Sequence, residues 1–419
     1  NRPLNIPESL SEIELEKHVS DRLSKNKAAP EFLNFLGGGN WNHHVPSVID
    51  EILSRGEFYT AYTPYQPEIS QGMLQALFEY QSEICDLTGM EVANSSMYDW
   101  SSALGEAGRM AERVTGRKKI LVSSNASPER VGVLETYCRP AGMEIKRLPY
   151  DKSGETDLDC INSNIDDTTA AVYIENPNFF GIIEKSAAEI AAICHKHGSL
   201  LIVGINPISL GVLRPPGGYG ADIVVGDGQP LGLYPNFGGP LIGIFATKSE
   251  SNLLRQMPGR LIGLTKSKAA SERGYTMVLQ TREQHIRREH ATSNICTNEA
   301  LFAVAVCVYL SIMGPSGMKE IGERILANSH YALKRFREEG LSAPFFDGPF
   351  FEEFAVSTTL EGAKLSKHLA GLGILGGMPL SRFYPSLRNV SLFSFSELHS
   401  AKDIEQLVSS LRSVESKFR

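Results

Sequence analysis

Between Lys118 and Lys248 short apolar runs alternate with helical stretches, and this alternation limits the fold more than any other feature of the chain. ILVSS gives way to a helix opened by Ser127 and Pro128, then to EIKRLPY, AAVYIENPN, the helix AAEIAAICHKHG, SLLIVGI, DIVVGDG and LIGIFAT. Proline in a first helical turn is already set to the helical φ, and strands that alternate with helices need crossover connections. The pattern predicts an α/β fold, with a mostly parallel or mixed sheet covered by helices on both faces. Within it, Val203 to Pro240 reads as two apolar strands that each run into a loop rich in Gly and Pro, the way such sheets present reactive groups at one edge.

The flanks are less regular. Residues 1–30 read as a polar, amphipathic helical arm. Asn34 to Pro46, NFLGGGNWNHHVP, reads as a loop, because three consecutive glycines disfavour helix and strand. His43 and His44 are adjacent and point apart on most backbones, so no metal site is expected there. Phe58 to Gly72 carries Tyr59, Tyr62 and Tyr65 with Pro64 and Pro67, which hold the rings on an extended segment. Those rings either touch a ligand or pack the arm onto a neighbouring domain. Apolar spacing predicts a helix over Ser70 to Leu87 with Gly89 as its stop. Asp99, Ser101 or Ser102 should cap the next helix, which runs to Gly116; its first N–H groups suit a phosphate, although capped helices without one are commoner. Residues 249–298 read as a polar, basic connector in which Arg287, Arg288 and Glu289 form a solvated face. A long apolar helix, Glu299 to Met313, ends at a Gly-Pro step, and Met318 to Arg419 reads as a small α/β domain with strands such as FEEFAVS and VSLFSFS. The expected division is an arm and Gly-rich loop over 1–60, a large domain with its connecting helix over 61–313, and a small domain over 314–419.

Composition excludes several classes of function. A chain of 419 residues that is 42% hydrophobic and 21% charged can bury two or three domains. Its formal net charge of -7 is interspersed, without the basic block that nucleic acid would need. No window matches the uninterrupted apolar length of a membrane span, so the cytoplasm is the default location. The six cysteines, Cys85, Cys138, Cys160, Cys194, Cys296 and Cys307, form no CxxC pair and read as reduced packing residues. There is no GxGxxG after a strand, no GxxxxGK[ST], no GxSxG and no HExxH, which leaves nucleotide-binding and hydrolase readings without an anchor.

The segments YTPYQPEISQG, REQHIRREHATSNICT and ADIVVGDGQPLG resemble the glycine decarboxylase P-protein of the glycine cleavage system, and more narrowly the first, or alpha, subunit of its two-chain form, from about Phe35 to about Leu411. The resemblance implies a fold type I pyridoxal-phosphate-dependent transferase-like fold, with a large mixed-sheet domain and a small C-terminal α/β domain. Such an enzyme needs a lysine to hold the cofactor and a carboxylate to keep the pyridine nitrogen protonated. Placing VGIN and FGGP on the corresponding segments of the catalytic half puts Val203 at the aspartate and Gln229 at the lysine, and neither side chain can do that work. The remaining acids are Asp222, one loop away, and Asp227, two residues before the lysine position.

The resemblance therefore implies a chain that does not act alone. A beta subunit would supply the lysine, the aspartate and the pyridoxal phosphate, while Tyr62, Tyr65 and Gln66 would line the substrate channel. Ser293, Asn294 and Thr297 would approach the partner's cofactor phosphate, unless they cap the helix that follows. His290 stands where the family carries lysine, which puts a charge-based role there in doubt. The implied reaction is decarboxylation of glycine, with the aminomethyl group passed to the lipoyl arm of the H-protein. Two alternatives stand beside it: an independent pyridoxal-phosphate enzyme using a lysine such as Lys248 or Lys266, and a scaffold or regulator that kept the fold and lost the site.

Overall fold

The computed structural model describes residues 3–26, 31–61, 63–236, 238–266, 272–295 and 298–418. Tyr62 and Thr297, two of the expected site residues, lie outside the described residues. The N-terminal helix Glu12–Leu23 begins at a reciprocal cap, in which the Ser11 hydroxyl accepts the Glu14 N–H and the Glu14 carboxylate accepts the Ser11 N–H. None of its residues is buried, as the polar arm predicts.

Strand β1 (Leu33–Phe35) follows, although a loop was expected from Asn34 onward. Pairing with a distant strand, which local composition does not reveal, holds Asn34 and Phe35 extended ahead of the three glycines.

The central sheet contains β2 (Val92–Ala93), β3 (Lys119–Ser123), β4 (Glu144–Leu148), β5 (Thr169–Glu175), β6 (Leu200–Ile205), β7 (Ile223–Asp227) and β8 (Gly243–Thr247), in the order β2-β8-β7-β6-β5-β3-β4. β4, β3, β5, β6 and β7 run parallel, and β8 is antiparallel to both β7 and β2. The sheet is mixed, as the alternation predicts. Every residue of β5 and β7 is buried, which explains why their sequences are continuous apolar runs without a polar alternation. Side chains of β6 alternate between two cores: Leu201, Val203 and Ile205 belong to the one that helix Ala187–Lys196 covers, and Ile202 to the one that helix Trp100–Thr115 covers.

The segment read as a polar connector contains two paired antiparallel strands, β9 (Leu261–Lys266) and β10 (Arg273–Val278). Their outer residues are Lys, Thr and Arg, which hid the strand pattern. The next helix, Ala300–Glu338, continues beyond the expected Gly-Pro stop, but Gly314 (φ 55, ψ -177) breaks it there and Pro315 restarts it. By length and composition this helix could cross a membrane; Ala303, Val304, Ala305, Val306 and Tyr309 are instead buried in the core.

β11 (Glu353–Ser357), β12 (Ile374–Gly376), β13 (Met378–Pro379) and β14 (Val390–Ser394) complete the fold with helix Ala401–Phe418. β11 and β13 flank β14 antiparallel, while β12 pairs parallel with β1. A separate core rich in phenylalanine, including Phe336, Phe354, Phe393 and Phe395, lies here, and Phe35 of β1 belongs to it.

Candidate functional site

The parallel strands end at one edge, and there the loops after β3 and β7 meet the start of helix Trp100–Thr115 and the Gly37–Asn40 loop. A cavity of about 390 Å³ lies between them, lined by Gly38, Asn40, Trp100, Ser101, Arg130 and Asp227 among others. Gly39 (φ 113) passes so close to Arg130 that a Cβ there would sit 2.3 Å from Nη2, and only glycine permits that approach.

The helix begins as its sequence predicts. Asp99 Oδ1 accepts the Ser102 N–H at 2.8 Å, and the Ser102 hydroxyl oxygen accepts the Asp99 N–H at 3.1 Å. The Trp100 N–H donates to Asp227 Oδ2 at 3.4 Å. The helix start read in sequence as a place for phosphate therefore already carries two carboxylates of the chain itself, the sign of charge its dipole favours. Burial pushes the Asp227 carboxyl up to about 7, against N–H bonds from Gln229 and Trp100.

Deeper in, the Arg130 guanidinium lies 3.4 Å from the centre of the Trp100 ring and pairs with Glu175 at 3.0 Å. Glu175 also accepts the Ser127 N–H and the Tyr173 hydroxyl, and Tyr173 accepts the Trp100 indole N–H at 3.2 Å. Burial, then the Glu175 charge, holds the Tyr173 phenol well above its ordinary value, so it stays a donor. Trp100, Arg130 and Glu175 were not singled out in the sequence. A lone arginine one turn into a helix carries no signature, and only the fold brings it onto a tryptophan from another segment.

Val203 is wholly buried and packs beside Ile174 and Val224 on the neighbouring strands. Gln229 is buried beyond the end of β7; its Nε2 donates to the Leu233 carbonyl at 2.6 Å and its N–H to Asp227 at 2.9 Å. No lysine is among the described residues lining the cavity. Asp222 lies at the opposite end of β7 from Asp227, where it pairs with His195 at 2.9 Å and Lys248 at 2.5 Å. Lys266, at the end of β9, is exposed. His43 is buried against Glu397 at 2.8 Å and Glu352 at 3.6 Å, and the His44 N–H donates to Glu397. Glu353 in turn accepts the Gly38 N–H at 2.6 Å, so this acidic cluster grips the loop that walls the cavity.

The tyrosine-rich arm makes a second grouping. Tyr65 is half-exposed; its hydroxyl oxygen accepts a hydrogen bond from Arg260 Nη2 at 2.7 Å, and its ring meets His285 edge-on. Gln66 is exposed and leads into a turn of 3₁₀ helix, Pro67–Ile69. Ser293 donates to Glu106 at 2.7 Å, and Asn294 Oδ1 accepts from Gln284 at 2.6 Å. Neither caps helix Ala300–Glu338: the Glu299 N–H at its start is taken by the Ser96 hydroxyl, and Asn298 holds Ser95. His290 is exposed beside Glu289.

Sheet order, the broken connecting helix and the C-terminal unit define a fold type I pyridoxal-phosphate transferase architecture. A NifS-like protein shares it at 13% identity with a TM-score of 0.68, over 92% of this chain and all of that one, a likeness of fold alone. Much more similar is a crystal structure of glycine decarboxylase (P-protein) of the glycine cleavage system in inhibitor-bound form: 41% identity and a TM-score of 0.91, covering 99% of this chain and 92% of that chain. The family model for the glycine cleavage system P-protein matches residues 1–411. Among curated relatives, the probable glycine dehydrogenase (decarboxylating) subunit 1 of Staphylothermus marinus is 50% identical over 99% of this chain and 89% of its own length. The protein of the same name from Saccharolobus islandicus is 49% identical over 98% and 90%. The chain belongs to the glycine cleavage system P-protein family.

Proposed function

We propose that this chain is the alpha subunit of glycine dehydrogenase (decarboxylating). A beta subunit holds pyridoxal phosphate, and the pair decarboxylates glycine and passes the aminomethyl group to the lipoyl arm of the H-protein. The observation that carries the reading is the state of the chain's own sheet edge. The cofactor supplies an electron sink for the carbanion left when carbon dioxide departs, and it needs an amine and a free carboxylate. Here no described residue that lines the cavity is a lysine. Of the acids that line it, Asp99 caps the helix start, Glu129 pairs with Arg382 and Asp227 is bound by two main-chain N–H groups, while Arg130 already covers the Trp100 ring. These residues do not suit pyridoxal phosphate.

The supporting role falls to two other segments of the chain. Tyr62, Tyr65 and Gln66 would line the substrate channel, with Tyr65 fixed by Arg260. Ser293, Asn294 and Thr297 would face the partner's cofactor phosphate. The Gln284 bond takes the Asn294 oxygen and leaves its Nδ2 hydrogens as the group on offer, whereas the Ser293 proton is committed to Glu106. Burial of the long apolar helix in the core fits a cytoplasmic complex. Lys248 is engaged by Asp222, which argues against its use as a Schiff-base lysine.

The test is reconstitution with a beta-type subunit and glycine-dependent exchange of carbon dioxide. Exchange should require this chain and fall with Tyr65→Ala, while the purified chain alone shows no Schiff-base absorbance. Exchange indifferent to this chain would overturn the reading.

A further inference from the structure

Arg260 differs from the other buried arginines in what it lacks. Its side chain is 3% exposed, yet among the described residues Nε and Nη1 have no hydrogen-bond acceptor. Only Nη2 makes a hydrogen bond among the described residues, to the Tyr65 oxygen; the guanidinium carbon lies 5.1 Å from the centre of the Tyr65 ring, and the Glu283 carboxylate pairs with Nε at 3.6 Å, beyond hydrogen-bond length. Arg282, also buried, donates to the carbonyls of Met257, Leu279 and Gly259, and Arg130 has Glu175 and the Trp100 face. A buried guanidinium with three idle N–H bonds is costly in a folded chain, and such groups persist where something else completes them.

The setting is rigid. The Arg260 carbonyl accepts the Ser95 N–H at 2.9 Å, Arg282 clamps the Met257 and Gly259 carbonyls, and Asn94 Nδ2 donates to the Pro258 carbonyl at 3.1 Å. On its solvent side stand the half-exposed rings of Tyr65 and His285, which meet edge-on, and Glu283, 3.6 Å from Nε. Glu283 offsets part of the arginine's charge without filling its donors. What matches the idle donors is a planar oxygen acceptor, for which a guanidinium is the best protein partner.

We propose that Arg260, flanked by Tyr65 and His285, is a carboxylate-binding site that is completed only in the assembled enzyme. The carboxylate comes either from the amino-acid substrate or from an acidic side chain of the partner subunit. The inference rests on the reading above, in which the Tyr65 arm faces the partner's site, and it adds the group that arm presents.

Arg260→Gln and the charge-keeping Arg260→Lys, each shown by circular dichroism to fold, are assembled with the beta-type subunit. Glycine KM and kcat for carbon dioxide exchange are measured, and the assembly Kd by sedimentation. A substrate carboxylate predicts a KM for glycine raised roughly tenfold or more in Arg260→Gln, less in Arg260→Lys, with Kd unchanged. A partner carboxylate predicts the same rise in Kd with KM unchanged once assembly is saturated. If both stay within twofold of wild type while wild-type exchange requires this chain, the inference falls and the proposed function stands. If wild-type exchange ignores this chain, both fall together.

Discussion

The pair formed by Arg130 and Glu175 is the place to ask how strongly the sheet edge is built. The Glu175 side chain is fully buried and that of Arg130 is 8% exposed, so Arg130→Met strands a carboxylate away from water. Removing one partner of a buried pair costs about 3–5 kcal/mol, whereas replacing both by neutral groups of similar size is often close to neutral. Losing the stacking on Trp100 adds a further cost of about 2 kcal/mol where the cation is desolvated. Glu175→Gln keeps one carbonyl oxygen to accept the Ser127 N–H and turns its amide NH2 toward the Tyr173 hydroxyl oxygen, which can accept it. Arg130→Met/Glu175→Gln should therefore be about 2–3 kcal/mol more stable than the sum of the single losses predicts. Urea unfolding followed by tryptophan fluorescence is suited to this, because Trp41 and Trp100 are the only tryptophans and both are buried. A loss below about 1 kcal/mol for Arg130→Met, or additivity within about 0.5 kcal/mol, would refute a coupled buried pair.

Three further outcomes are expected. Burial raises the carboxyls of Glu352 and Glu353 above their ordinary 4.5, so the folded chain keeps protons that the unfolded chain has released. Stability should fall as pH rises above 4.5, and Glu353→Gln should flatten that slope in urea midpoints taken from pH 5 to 8; an unchanged slope would contradict the assignment. Gly204→Ala places a Cβ 2.5 Å from the Tyr173 hydroxyl and 2.6 Å from Trp100, an overpacking cost of about 1–3 kcal/mol, visible as a lower Tm and altered tryptophan emission. Asp99→Ala removes the cap of helix Trp100–Thr115 and should cost about 1 kcal/mol in the same denaturation assay, with Asp99→Asn nearly silent.

How much of this the chain declares in advance depends on the range of the forces involved. β5, β6 and β7 were legible because strands buried on both faces must be apolar throughout, and the Asp99 cap was legible because capping is local. β9 and β10 were missed because their polar ends dilute the apolar pattern, and β1 because its partner is remote in sequence. Tyr65 was singled out by composition and resemblance. The cavity was less legible: Gly38, Trp100, Arg130 and Asp227 come from four separate segments, and no spacing rule connects them. Arg260 has the same difficulty, since what marks it is the absence of acceptors around it, a property of the folded surroundings.

The pairing of β1 with β12 bears on how the molecule is made. Leu33 meets Ile374, so β1 is made long before the strand that pairs with it. Until then Phe35, which ends wholly buried in the C-terminal core, remains uncovered. Contacts of such sequence separation form slowly and leave strand edges and apolar surface open in the meantime. A ribosome-stalled chain lacking β12 should accordingly bind holdase chaperones through its first forty residues, and a version ending before β11 should aggregate unless β1 is removed with it. The strand that closes the C-terminal core is thus also the step that ends the chain's exposure during synthesis.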